Sequence, residues 1–157
     1  HCKRERNYMG IMIDGVELTP LKIISVDGGD VMHALKCNDK GYVGFGEAYF
    51  SHLKHGVVKG WKRHREMHMN LIVPVGEVRF VVYDGREASS TFGLFDDVIL
   101  SRESNYQRLT IHPELWVAFQ GRNYDGSMLM NIASIPHDPA ESDIKDLNEI
   151  EYNWELI

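Results

Sequence analysis

Six basic or imidazole side chains crowd into ten positions of the stretch KGWKRHREMH: Lys59, Lys62, Arg63, His64, Arg65 and His68. Residues of these types can hold a metal, bind an anion, move a proton or simply solvate an edge strand. Metal chelation fits poorly. His64 and His68 are four apart with Glu66 between them, so in an extended chain they lie about 13 Å apart, at about 3.3 Å per residue. No metal site is expected. Anion binding fits better, because a local cluster of cations in an acidic protein focuses potential on a diphosphate, and guanidinium forks match phosphate oxygens. Proton transfer also fits. Histidine ordinarily titrates near neutral pH. A lysine ordinarily titrates at about 10.4 and needs burial or neighbouring cations before it can serve as a base. In a strand, Lys62, His64 and Glu66 share one face, and Trp61, Arg63 and Arg65 share the other.

The elements around this cluster read as strands. Short apolar runs at 21–26, 42–51, 70–75, 78–84, 96–101, 108–112, 115–121, 127–134 and 150–154 are separated by turn residues at roughly ten-residue spacing. No long helical periodicity is present, and 138–149 has room for one helical turn. The expected fold is all-β: an antiparallel jelly roll, sandwich or barrel. In VRFVVYD, Val78, Phe80 and Val82 point one way, while Arg79, Val81 and Tyr83 point the other. The second face is half apolar, which suits either a partner subunit or a second layer of the same domain.

With 157 residues, 43% of them hydrophobic, the chain is expected to form one domain over 1–157, with residues 1–10 disordered. A net charge of -6 argues against nucleic acid as a partner. No apolar run is long enough to span a membrane as a helix. Two cysteines, Cys2 and Cys37, fit a reducing, cytoplasmic setting.

At GVVKG, VPVGEVRFVVYDGR, SSTFG and ILSRESNYQRLTIHP, over about residues 45–154, the sequence resembles the dTDP-4-dehydrorhamnose 3,5-epimerase family. The resemblance implies a cupin-type jelly roll, usually a homodimer, acting on nucleotide-linked 4-keto-6-deoxy sugars for surface polysaccharide synthesis, with no cofactor. The family's catalytic histidine falls on Lys62, and its supporting aspartate is kept as Asp84. Its lysine falls near Met69, a second histidine on Val117, and its tyrosine acid on Pro136 and His137. The arginine before the catalytic motif becomes Lys59. Ser51 is kept in a strand where Glu47 and Tyr49 replace two amides.

The catalytic set read from the sequence is therefore Lys62, His64 and Asp84. The substrate-binding set is Glu47, Tyr49, Ser51, Lys59, Trp61, Arg63, His68 and Arg108. For Trp61 and Trp116, core packing competes with stacking on a base or sugar. The reading is a nucleotide-sugar epimerase or isomerase with a rearranged site, binding a dTDP-sugar. A non-catalytic nucleotide-sugar-binding cupin and a metal-dependent cupin enzyme are the alternatives.

Overall fold

The computed structural model describes residues 10–155. Its strands are β1 (Val16–Pro20), β2 (Ile23–Ile24), β3 (Val31–Met32), β4 (Glu47–Leu53), β5 (Val58–His64), β6 (Met69–Val75), β7 (Glu77–Tyr83), β8 (Phe95–Ser101), β9 (Gln107–Ile111), β10 (Trp116–Gly121), β11 (Ser127–Ala133) and β12 (Ser142–Ile144). They form two five-stranded sheets, β1-β9-β6-β11-β4 and β12-β5-β10-β7-β8, plus the small hairpin β2-β3. Every strand pairing is antiparallel. The architecture is the jelly-roll sandwich expected from the pattern.

Alternation decides which side chains meet between the sheets. Leu71, Leu109 and Leu129 on the first sheet face Val78, Phe80, Val82 and Val117 on the second, all nearly or fully buried. The outer face of the second sheet is covered by the chain itself. Trp61, Val81, Trp116 and Ala118 pack there against Ile150, with Tyr152 and Trp154 alongside. That tail is extended but joins no sheet, which corrects the strand expected at 150–154. It is held by its carbonyls instead, since Trp61 Nε1 donates to the oxygens of Leu147 and Ile150 at 3.2 Å each.

Three further expectations shift. The run 21–26 is reduced to Ile23–Ile24, whereas Val16–Pro20 forms a full strand on β9 through its polar–apolar alternation. The strand expected from 42 begins at Glu47. The helical turn expected within 138–149 becomes two single 3-10 turns, Pro139–Glu141 and Leu147–Glu149, flanking β12. The first nine residues, expected to be disordered, lie outside the described residues, as does Cys2.

Gly60 sits at a register shift between β5 and β10. A Cβ there would lie 2.3 Å from the Ala118 Cβ and 2.8 Å from its Cα. Gly60→Ala is expected to lower stability by about 1–3 kcal/mol through overpacking. Ala118→Gly in the same chain should restore part of the loss. Denaturant melts of the single and double variants test this, and an unchanged midpoint for Gly60→Ala would refute the close packing.

Candidate functional site

β5 divides its side chains between two environments. Lys62 pairs with Val117, a core residue, so it shares the inner face; Arg63 pairs with Trp116 on the outer face. The Arg63 guanidinium lies 4.7 Å from the Trp116 ring centroid and binds Asp143 at 2.8 Å. Arg65 binds the other oxygen of Asp143 at 2.5 Å. The two arginines together hold the Asp143 carboxyl down at about 2. The sequence cluster is therefore split. Its arginines are neutralised outside, while Lys59 and Lys62 have no carboxylate in salt-bridge range among the described residues.

His64 ends β5 and is 93% buried, with a side-chain exposure of 7%. Its Nδ1 meets Glu141 Oε1, whose side chain is 6% exposed. The other Glu141 oxygen accepts three successive backbone N–H groups, from Arg65 and Glu66 at 3.1 Å and Met67 at 3.3 Å. Burial alone would raise this carboxyl. The His64 bond and the backbone donors outweigh it and hold Glu141 below the usual carboxylate range. An ionised Glu141 only accepts, so the imidazole donates to it through Nδ1. The arrangement is a histidine oriented by a carboxylate, as in general-base pairs.

The opposite wall comes from β4, which the short 54–57 connection links to β5. Glu47, Tyr49 and Ser51 pair with Ala133, Asn131 and Leu129, so all three face inward at an edge strand. Asn131 is fully buried. Its Oδ1 accepts the Asn70 N–H at 3.2 Å, and its Nδ2 donates to Tyr49 Oη at 2.9 Å. The same Nδ2 lies 3.9 Å from Met67 Sδ. A chain of contacts thus joins Tyr49 to His64 through Asn131, Met67 and Glu141. Lys59, exposed, lies across from Phe119 on the same side of β5 as Lys62.

Of the residues named from sequence, Lys62, His64, Lys59, Glu47, Tyr49 and Ser51 are brought to this inner edge. Four others are employed elsewhere, besides Arg63. Asp84 is fully buried and binds Arg86 Nε at 2.9 Å and the Ser89 and Thr91 hydroxyls at 2.6 Å each. It does not orient Lys62 or His64. Trp61 is fully buried under the tail, packed with Val81, Trp116 and Ile150. Arg108 is fully buried on the outer face of the first sheet, donating to Asn70 Oδ1 and to the carbonyls of Ala34 and Lys40. His68 turns to that same outer face, its ring 4.9 Å from that of His112. Burial, then the neighbouring His112, lowers its pKa.

Two site residues escape the sequence reading. Glu141 sits in a polar, turn-like segment, 77 positions from His64. Asn131 left a signal that could have been used: it is a lone amide in the apolar run SMLMNIA. Among the described residues, no three His, Cys, Asp or Glu side chains gather into a metal-holding group. A cavity of about 730 Å³ opens on the β8 side, lined by Ile11, Leu18, Arg79, Val98, Arg122 and Tyr152 among others. None of the catalytic or substrate-binding candidates read from sequence lines it.

No family model matches the chain. A solved dTDP sugar isomerase from Desulfovibrio desulfuricans is 36% identical, with a TM-score of 0.86, covering 92% of this chain and 95% of that one. The chain belongs to the family of dTDP-sugar isomerases and dTDP-4-dehydrorhamnose 3,5-epimerase-like proteins. A curated relative from Haloferax volcanii, a probable low-salt glycan biosynthesis epimerase, is 27% identical over 133 residues, covering 83% of this chain and 85% of its own length. The dTDP-4-dehydrorhamnose 3,5-epimerase of Sulfolobus tokodaii, 23% identical with a TM-score of 0.76 over 88% of this chain and 81% of its own, shares the fold. Within this epimerase-like family the positions read as Met69 and Val117 are core residues here.

Asp84 makes a stability test that separates scaffold from site. Its carboxyl is held far below its ordinary value: burial raises it, but the Arg86, Ser89 and Thr91 bonds overcome that. A depressed folded-state value contributes stability above the unfolded value near about 3.9, and that contribution is lost as pH falls. Asp84→Asn is expected to cost about 2–4 kcal/mol at neutral pH. Chemical melts from pH 7 downward should show the gap to wild type closing in acid; a constant gap would refute the assignment.

Proposed function

We propose that this protein is an epimerase or isomerase of a dTDP-linked 4-keto sugar, with His64 as the base that removes a proton beside the ketone. The observation that carries this reading is the buried His64–Glu141 pair on the inner face of β5, with Nε2 left free to accept. Glu141 fixes the tautomer and offsets the charge that appears on the imidazole as the proton arrives. The C–H electrons move onto the carbonyl oxygen, and the Lys62 ammonium on the same face stabilises that enolate. Lys62 then works as a fixed cation, not as the base. Lys59, exposed beside it, holds the diphosphate, with Glu47 and Ser51 contacting the sugar from the facing sheet. The name of the Haloferax relative supports a role in making a glycan. In the same reading the protein works in the cytoplasm as a homodimer. The open edge of β4 and its exposed Phe50 support the pairing of two copies.

The test is hydrogen exchange at C3 and C5 of dTDP-4-keto-6-deoxyglucose in deuterated water. Wild type is expected to exchange. His64→Asn and Glu141→Gln should each slow exchange by roughly 100- to 10,000-fold, with dTDP affinity by calorimetry kept within about threefold. Exchange that survives His64→Asn removes His64 as the base. A dTDP-sugar bound by wild type without exchange would instead mark a binding protein.

A further inference from the structure

His64 lies between two arginines in the chain, and both of them bind one carboxylate on β12. We propose that Asp143 is a positioning residue: by bridging Arg63 and Arg65 it holds β12 in the register that presents Glu141 to His64. In this role Asp143 touches no reacting atom and acts from the outer face of the second sheet. The role rests on the function proposed above.

β12 has little else to fix its register. It is three residues long and lies at the edge of its sheet, paired with β5. A ladder that short specifies register weakly, and a slip of one residue turns every side chain to the opposite face. Its apolar residue does not help, since Ile144 is 78% exposed. Asp143 stands directly opposite Arg63, with Ser142 opposite His64 and Ile144 opposite Lys62. Its Oδ2 accepts from Arg63 Nε and Nη2 at 3.2 and 2.8 Å and from Arg65 Nε at 3.3 Å. Its Oδ1 accepts from Arg65 Nη2 at 2.5 Å. A shift by one residue in either direction would put Ser142 or Ile144 opposite Arg63 and leave both guanidiniums unmet.

Surface ion pairs contribute little when both side chains swing freely. These are held. The Arg63 guanidinium is seated on the Trp116 ring, 4.7 Å from its centroid, and Arg65 Nη1 also donates to the Ala140 carbonyl at 3.2 Å. The Arg65 backbone N–H donates to the Glu141 carbonyl at 2.8 Å. The register that satisfies Asp143 is therefore the one that sets residue 141 beside the turn at 65–67, where its side chain meets His64 and three backbone N–H groups. Glu114 and Glu141 are the other carboxylates that act on Arg65. Without Asp143 the Arg65 guanidinium turns to them and competes with His64 for Glu141.

Two measurements on Asp143→Asn test this. The first is NMR of the His64 imidazole in protein labelled with nitrogen-15 at histidine. Wild type should show a downfield Nδ1–H signal from the bond to Glu141, and its loss or shift in Glu141→Gln identifies it. Asp143→Asn should lose the signal, or exchange it with solvent at least tenfold faster, with a melting temperature within a few degrees of wild type. The second is hydrogen exchange of dTDP-4-keto-6-deoxyglucose in deuterated water. Asp143→Asn should slow exchange about 10- to 100-fold, with dTDP affinity kept within about threefold. In a Glu141→Gln background the same substitution should slow it by less than about twofold, because a residue that acts through Glu141 has nothing left to position. Asp30→Asn, which removes an arginine partner in the β2–β3 hairpin, should change neither measurement. Arg65→Gln, which leaves the Arg63–Asp143 pair intact, should give both changes in smaller measure and serves if Asp143→Asn melts early. A persistent Nδ1–H signal in folded Asp143→Asn overturns the role, and so does an equal loss of exchange in both backgrounds. Absence of sugar exchange in wild type strikes the proposed function, whereas the imidazole signal alone still decides whether Asp143 positions the pair.

Discussion

A buried carboxylate that cannot be left unpaired governs this structure. Taking an ionised carboxylate out of water costs several kcal/mol unless its lone pairs are met. Glu141 meets them with three consecutive N–H groups of the turn after β5 and with the imidazole at its end. That clasp fixes the turn, the histidine and the 3-10 turn bearing Glu141 relative to one another. β12 then lies against β5 in one register, and its Asp143 falls between Arg63 and Arg65.

The same clasp sorts the charges. Arg63 and Arg65 are spent on Asp143 outside the sandwich, and the two lysines lie on the inner side of β5. A run of cations that looks like one patch in the sequence is two half-patches separated by a strand, because side chains alternate across it.

How much of this the sequence discloses depends on the range of each interaction. The alternation in VRFVVYD and the turn at Gly76 are local, so β6, β7 and the jelly roll were readable. The pairing of His64 with Lys62 on one face was equally local. Asp84 was legible only as a family position, and the structure uses it as a hub for Arg86, Ser89 and Thr91. The burial of Trp61 and Arg108 was not readable, because polarity and aromaticity do not reveal which face a layer covers; one lies under the tail, the other under the 34–40 loop. Glu141 was invisible for a different reason. Nothing near it in the chain needs a carboxylate, and the need arises 77 residues earlier.

That separation has a temporal side. During synthesis the histidine emerges long before its carboxylate, so a nascent chain that stops short of Glu141 displays an imidazole with neither a fixed tautomer nor a counter-charge. His64 and Glu141 meet only once the segment that carries the carboxylate has folded back onto the end of β5.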